Sequence, residues 1–219
     1  SLSESMDMLL ASKEQGINTM IATSHYYQSR ESIDEFLTRR EKSFNRLMEN
    51  SHDFQIPDLR LGAEVAYFSG MSKMENLQQL KIQGTECILI EMPFSIWTSS
   101  NINEIYSIIN NLDLTPILAH VERYPDFSVN SSKLDDLINL GAIFQMNGEF
   151  INSWKSKRRA LKHLKNSDYY VLGSDSHNMD IRRPNLGEAM ETIQKKLGAR
   201  RLEEIVELGN SLLLEEGKL

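Results

Sequence analysis

The sequence predicts an α/β fold built on a parallel β-sheet, and two observations carry this prediction. Short apolar runs alternate with helical segments along the whole chain, which is the pattern of repeated strand–helix units. These runs are continuously apolar rather than alternating with polar residues, as in strands that are buried on both faces. No repeat, low-complexity tract or linker divides the chain, so we predict a single domain spanning residues 1–219.

The first half of the chain contains three predicted strands. A helical segment at residues 3–16 ends at Gly16 and is followed by the strand NTMIATS. The next helix carries an apolar stripe at helical spacing, formed by Ile33, Phe36, Leu37, Phe44, Leu47 and Met48. The strand LRLGAEV comes next and, after a short helical piece, the strand ECILIEM.

Three more strands are predicted in the second half. A helix around IYSIINNL precedes the strand TPILAH. The helix SSKLDDLINLG stops at Gly141 and precedes the strand AIFQMN. A basic helix from about Lys155 leads to the strand YYVLGS, and two helices complete the chain. We therefore predict six strands, each separated from the next by helical segments.

Composition excludes several classes of protein. The formal charge of −7 argues against a nucleic-acid-binding protein, because neutralising phosphates requires a basic face. The single cysteine, Cys87, excludes an internal disulfide framework and fits a reducing compartment. No apolar run approaches the ~20 residues that a membrane helix needs, and no signal segment opens the chain. We therefore predict a cytoplasmic protein without membrane insertion.

Every predicted strand ends in a side chain that can bind a metal ion or a polar substrate. In chain order these residues are His25, Glu64, Glu91, His120, Asn147, Asp175 and His177. The carboxyl ends of parallel strands form one face, and active sites of α/β barrels lie on that face. One such residue alone is usually a turn or capping residue. Six strands that share the feature favour a common site over a structural coincidence.

The residue types in this set indicate a metal centre. Three imidazoles and three carboxylates suit several divalent ions, with carboxylates bridging and imidazoles terminal. The predicted ligands are His25, Glu64, Glu91, His120, Asp175 and His177. Mixed sites of this kind accept manganese, iron or zinc.

Two arginines are predicted on the same face as the metal ligands. Arg123 follows His120 in AHVERYP, and Arg182 follows His177 in NMDIRRP. A lone arginine is usually a solvated surface charge, but a guanidinium group at this place would match the oxygens of a phosphate. The basic run KSKRR, which starts at Lys155, is interpreted as a solvated helix face, with substrate docking as the lesser alternative.

The remaining reactive side chains do not join this site. His52 lies in a polar loop and His163 on the basic helix, so both are expected at the surface. Cys87 lies inside a predicted strand and is interpreted as a small buried residue. Cysteine-dependent tyrosine phosphatases also need an arginine six residues after the cysteine, and Pro93 occupies that position. The chain contains neither a G-x-S-x-G motif nor a P-loop.

Five segments together resemble one known family. ATSHYY, GAEVAY, LIEMPF, AHVERY and LGSDSHN, in this order and spacing, resemble the bacterial manganese-dependent tyrosine-protein phosphatases of the PHP (polymerase and histidinol phosphatase) superfamily. These are the CpsB/YwqE-type enzymes of capsule and exopolysaccharide operons. The resemblance covers essentially the whole chain, and it implies a distorted (β/α)7, TIM-like barrel with up to three metal ions, expected to be manganese.

The resemblance also implies roles for individual residues. It makes the six predicted ligands metal-binding, with Glu64 bridging two ions, and it makes Arg123 and Arg182 the phosphate-binding arginines. The neighbouring Arg183 is the alternative for the second arginine. Members of the family begin with a strand that carries a His-x-His pair and a loop with an aspartate, whereas this sequence starts at the following helix. We therefore expect a natural protein longer by roughly 15 to 20 residues.

These observations lead to one hypothesis and three alternatives. The hypothesis is metal-assisted hydrolysis of a phosphomonoester, with phosphotyrosine on the tyrosine-rich tail of a bacterial tyrosine kinase as the substrate. Two alternatives are other enzymes of the same superfamily, a histidinol-phosphate phosphatase or a nuclease. The third is a degenerate, non-catalytic barrel that binds the kinase.

Overall fold

Six parallel strands form a single sheet in the computed structural model, which describes residues 1–129, 131–165 and 167–214. The strands are β1 (Thr19–Tyr26), β2 (Asp58–Ala66), β3 (Cys87–Glu91), β4 (Thr115–Leu118), β5 (Ile143–Asn147) and β6 (Tyr170–Gly173). Their order in the sheet is the order in the chain. The six strands predicted from the sequence, and the α/β class, are therefore confirmed.

Helices connect the strands, as the alternating pattern predicts. They are α1 (Leu2–Glu14), α2 (Ile33–Glu49), α3 (Ser99–Leu112), α4 (Pro125–Val129), α5 (Ser132–Asn139), α6 (Gly148–Asn152), α7 (Lys157–Leu164), α8 (Leu186–Leu197) and α9 (Ala199–Ser211). Short 3-10 turns occupy Met71–Lys73, Leu77–Leu80 and Val121–Arg123. Among the described residues, no helix is long and apolar enough to cross a membrane.

The sheet curls into a half-barrel with two apolar cores. The larger core lies between the sheet and the connecting helices, and Phe36 and Phe144 are fully buried in it. The smaller core lines the concave face, where Ile117 and Val171 pack against Leu208 near the end of α9. A cavity of about 530 Å³ opens on this concave face. Both faces of the central strands are therefore covered.

Strand β1 departs from the expectation of burial on both faces. Seven of its eight residues are only half-buried, and Tyr26 alone is fully buried. Within the described residues β1 pairs with β2 on one side only, and its inner side borders the cavity. An edge strand beside an open cavity has fewer neighbours that can cover it.

Strand lengths determine where the predicted site residues lie. β1 and β2 continue past the predicted ends, so His25 and Glu64 lie inside strands as direct neighbours in the sheet. β4 ends two residues before His120, and β6 ends two residues before Asp175. The parallel arrangement thus brings residues from all six strands to one edge of the sheet.

Candidate active site

Glu64, Glu91 and His120 form the centre of the site at the carboxyl edge of the sheet, and we call them the carboxylate–imidazole cluster. Nε2 of His120 lies 3.2 Å from Oε1 of Glu64 and 3.3 Å from Oε1 of Glu91. One potential ligand atom from each residue lies within 4.8 Å of the other two. His25 borders the cluster, because its Nε2 lies 3.8 Å from the same Glu64 oxygen.

Electrostatics in this cluster favour a bound positive charge. Burial lowers the pKa of His120, but its hydrogen bonds to Glu64 and Glu91 outweigh burial and raise the pKa to about 9. The hydrogen bond from His120 in turn lowers the pKa of Glu91. A proton on Nε2 is therefore shared between two carboxylates that are largely withdrawn from water. A divalent ion that takes the place of this proton would meet one imidazole and two carboxylate ligands, a set that suits such an ion.

The backbone at His120 is held in an uncommon conformation. Its φ of 34° lies in the left-handed region, and Asp175 also has a positive φ, of 50°. Among the described non-glycine residues, only Asp113 shares this feature. Such conformations cost free energy and persist where the surrounding structure holds them, which is common at functional sites.

Arg123, Arg182 and Asp175 form the second part of the site, which we call the guanidinium cluster. Nη2 of Arg123 lies 2.6 Å from Oδ2 of Asp175, and Nη2 of Arg182 contacts the same oxygen. Burial raises the pKa of Asp175, but the charges of the two arginines outweigh it and lower the pKa. The Asp175 side chain is only 8% exposed, whereas about a third of each arginine side chain is exposed. The arginines can therefore contact an anion that enters from solvent.

The six predicted metal ligands thus divide into two groups. Glu64, Glu91 and His120 converge on one point, with His25 beside them. Asp175 is paired with the arginines, and Nδ1 of His177 contacts the backbone oxygen of Asp175 at 2.9 Å. The rings of His25 and His177 lie 5.4 Å apart, so the two groups face one another across the site. Arg183, the alternative to Arg182, is exposed to solvent.

A chain of hydrogen bonds joins the two clusters. Its first member, Gln145, was not predicted from the sequence. Oε1 of Gln145 accepts a 2.6 Å hydrogen bond from the backbone N–H of His120. Nε2 of Gln145 donates to Asn147, which donates from Nδ2 to Asp175 at 3.2 Å. Gly173 makes room for this chain, because a Cβ there would lie 2.1 Å from Nε2 of Gln145. The signal for this role was that Gln145 and Asn147 alternate with apolar residues in β5.

Aromatic side chains form one wall of the site, and these were also missed. The ring of Phe94 stacks on the His120 ring at 5.9 Å and 11°, although 57% of Phe94 is exposed. Tyr124 is fully buried, with its ring next to those of Phe94 and His120. Its hydroxyl accepts a hydrogen bond from the backbone N–H of Met92. Burial raises the pKa of Tyr124. The segment HVERY therefore supplies both polar groups and the packing that holds them.

Three reactive side chains were predicted to lie outside the site, and the prediction for one of them, His163, needs correction. Cys87 is buried in β3, and burial raises the pKa of its thiol, which confirms the interpretation as a structural residue. His52 is exposed as expected. The prediction for His163 was wrong, because its ring stacks on Phe127 at 4.3 Å and contacts the hydroxyl of Tyr170. Helix α7 is amphipathic, and His163 lies at the border of its buried face.

Comparisons with known proteins agree with this geometry. A family model described as "Capsular polysaccharide synthesis, CpsB/CapC" matches residues 1–215. The tyrosine-protein phosphatase CpsB of Streptococcus pneumoniae is 29% identical over 217 residues, covering 92% of this chain and 86% of that protein. The tyrosine-protein phosphatase YwqE of Bacillus subtilis is 26% identical over 200 residues, covering 90% and 78%.

A solved structure shares the fold. It is described as crystal structures of YwqE from Bacillus subtilis and CpsB from Streptococcus pneumoniae, unique metal-dependent tyrosine phosphatases. It superposes with a TM-score of 0.82 and 23% sequence identity, covering 97% of this chain and 87% of that chain.

Proposed function

The chain belongs to the capsular polysaccharide synthesis family CpsB/CapC, and from this premise we propose that it is a metal-dependent protein-tyrosine phosphatase. The observation that carries the proposal is the juxtaposition of the carboxylate–imidazole cluster with the two arginines of the guanidinium cluster. Phosphomonoester hydrolysis needs positive charge on both sides of the phosphate, and ligands for cations and guanidinium groups lie here within one site.

The proposed metal ligands are those predicted from the sequence. Glu64, Glu91 and His120 support the proposal directly, because their ligand atoms converge. His25, Asp175 and His177 line the same site and are proposed as further ligands, for up to three ions. We propose manganese, with iron or zinc as substitutes, since imidazole and carboxylate suit all three. Bound divalent ions would activate water and neutralise charge on the phosphate.

Arg123 and Arg182 are proposed to bind the phosphate of the substrate. In the structure both guanidinium groups share a single oxygen of Asp175. If Asp175 turns to a cation, the arginines lose that partner and face the anion that enters the site. Arg123 comes from the 3-10 turn after β4 and Arg182 from the loop after β6. They can therefore contact different oxygens of one phosphate and neutralise its charge as the bond to the leaving group breaks.

The surroundings of the cluster support an aromatic substrate. The exposed ring of Phe94 lies beside His120, where it can pack against the ring of a bound phosphotyrosine. A phenolate of pKa about 10 leaves without strong acid catalysis. Within this proposal the physiological substrate is the tyrosine-rich tail of a bacterial tyrosine kinase, in the cytoplasm, in the control of capsular or exopolysaccharide synthesis. The proposal also includes a single domain with the distorted (β/α)7 barrel of the PHP superfamily.

One experiment tests this function. The purified protein is assayed with a phosphotyrosine peptide and with p-nitrophenyl phosphate, before and after exhaustive chelation, and after Mn²⁺ is added back. We expect hydrolysis of both compounds, loss of activity on chelation and recovery with Mn²⁺. Full activity in the chelated protein would overturn the metal-dependent proposal. Metal binding without turnover of either compound would instead support a non-catalytic protein.

A further inference from the structure

The region around α7 differs in charge from the rest of the molecule. Six basic residues lie within residues 154–165 and no acidic residue does, although the whole chain carries a net charge of −7. They are Lys155, Lys157, Arg158, Arg159, Lys162 and Lys165. Within the described part of the chain, none of the six forms an ion pair with a carboxylate, whereas Arg39, Lys81 and Arg201 do. Arg159 packs over the rings of Phe127 and Phe150 and so contributes to the fold. The other five basic residues carry positive charge that no carboxylate neutralises within the described residues.

An exposed tryptophan lies next to these charges. Trp154 is 83% exposed, whereas Trp97, the other tryptophan of the chain, is fully buried. Nζ of Lys155 lies 5.6 Å from the centre of the Trp154 ring. Exposed tryptophan and arginine side chains are enriched at sites that bind other polypeptides, and Arg158 lies four residues from Trp154. We call Trp154, Lys155, Lys157, Arg158 and Lys162 the basic surface.

The chain path puts the basic surface beside the active site. β5 ends at Asn147, which is bonded to Asp175, and α6 follows at once. The Cα atoms of Asn147 and Trp154 are therefore separated by no more than about 17 Å, given the helical rise over α6 and an extended chain beyond it. Hydrogen bonds hold this connection, from Asn152 to the backbone of Asn185 and from Ser156 to the backbone of Phe150.

We propose that the basic surface binds an acidic segment of the polypeptide that carries the phosphotyrosine. This inference rests on the proposed phosphatase function. An extended peptide spans about 3.3–3.6 Å per residue, so acidic residues about five positions from the phosphotyrosine would reach the basic surface. Arg158 and Lys162 are four residues apart on α7 and project on the same side, where they can contact successive carboxylates. The negative charge over the rest of the chain disfavours a nucleic acid on this surface.

Paired charge reversals provide the kinetic test. The variant Lys155→Glu/Arg158→Glu is compared with Lys42→Glu/Arg46→Glu, which makes the same change in net charge at exposed positions of α2. Acidic residues near the start of α7 also favour the helix dipole, so the first variant should fold. The substrates are p-nitrophenyl phosphate and two phosphotyrosine peptides, with glutamates or alanines at positions four to six from the tyrosine.

The wild-type protein should prefer the glutamate peptide by about tenfold in kcat/KM, mainly through KM, and the preference should weaken with salt. The α7 variant should lose this preference and keep its activity on p-nitrophenyl phosphate, whereas the α2 variant should match the wild type. Equal kcat/KM for the two peptides in the wild-type protein would overturn the proposal. A preference that survives the α7 variant would also overturn it.

Trp154 gives a binding test that does not depend on catalysis. Tryptophan emission is followed while the unphosphorylated glutamate peptide is added to the wild-type protein and to Trp154→Phe. We expect a saturable change in the wild-type protein and none in the variant, because Trp97 is buried. This binding can be observed even if the protein hydrolyses no phosphate ester. Hydrolysis of p-nitrophenyl phosphate without peptide binding would overturn the proposed role of the basic surface and leave the proposed phosphatase function intact. A response to phosphatidylserine vesicles in place of the peptide would identify a membrane surface and overturn the proposal.

Discussion

The two clusters of the active site are built in different ways. The carboxylate–imidazole cluster arises from strands and from the residue just beyond β4, and the His120 side chain is only 2% exposed. The guanidinium cluster takes Arg123 from the 3-10 turn after β4 and Arg182 from the loop after β6, and about a third of each arginine is exposed. Rigid, buried groups are suited to hold cations in a fixed geometry. Half-exposed arginines are suited to exchange one anionic partner for another, so the difference in construction agrees with the proposed roles, in which buried ligands hold metal and the arginines bind phosphate.

The largest expected effect comes from removal of the buried imidazole. His120→Ala deletes the group that contacts both Glu64 and Glu91, and leaves two adjacent carboxylates without a counter-charge. We expect loss of bound metal and a decrease in kcat/KM of about 1000-fold or more. Metal analysis and phosphatase assays check this, with His52→Ala at an exposed position as the control. Retained metal in His120→Ala would contradict the division between the clusters.

The second prediction concerns the stability of the metal-free protein. The pKa of His120 is raised from 6.5 to about 9, so protonated His120 stabilises the fold fully below pH 6.5. This contribution is lost as the pH rises through 9, and amounts to on the order of 3 kcal/mol in the free energy of unfolding. Denaturant unfolding of the chelated protein at several pH values measures it. His120→Gln should lack this pH dependence, and the same dependence in that variant would assign it to other groups.

The third prediction separates phosphate binding from metal binding. Arg123→Ala leaves Asp175 with Arg182 and Asn147 as partners, so folding and metal content should be nearly unchanged. The loss of one charge contact to the transition state should lower kcat/KM about 100-fold. Arg183→Ala, at an exposed neighbouring position, should have little effect. Loss of metal in Arg123→Ala would show that the arginine supports the metal site instead.

The smallest effect tests the connection between the two clusters. Gly173→Ala would put a methyl group where Nε2 of Gln145 now lies, and would displace the side chain that accepts from the backbone of His120. We expect a decrease of about tenfold in kcat/KM and a weaker affinity for metal, because groups that orient ligands typically matter on this scale. Gly209→Ala in α9 is the control, since a Cβ there meets no atom within 4 Å. Unchanged metal affinity in Gly173→Ala would show that the clusters are independent.

Much of the fold could be predicted from the sequence, because its signals are local. Apolar runs identify the six strands, and the parallel arrangement then brings residues such as Glu64 and Glu91 to one edge. The convergence of these residues follows from the topology alone. The half-buried state of β1 could not be predicted, because it depends on which strand neighbours β1 in the finished sheet.

The contacts of individual side chains could not be predicted from local sequence patterns. The pairing of Asp175 with two arginines depends on the direction of two loops, and strand ends do not specify that direction. Gln145 joins the site because Gly173 leaves space for it on the next strand, and neither residue alone indicates this. His163 was predicted at the surface because its neighbours in sequence are basic, and these neighbours do not indicate its contact with Phe127. Apart from Asp175 and Arg182, which are seven residues apart, each of these contacts joins residues that are distant in the chain.

The agreement between strand order and chain order has a consequence for synthesis on the ribosome. Each strand is made after the neighbour to which it will pair, so the sheet can grow at one edge as the chain emerges. Glu64 and Glu91 are thus made before His120, with a delay of a few seconds at a translation rate of about 5–20 residues per second. If β2 and β3 pair within that interval, the two carboxylates meet without the imidazole that later neutralises them. A cation bound by the nascent chain would relieve this repulsion, so metal supply would influence folding as well as catalysis.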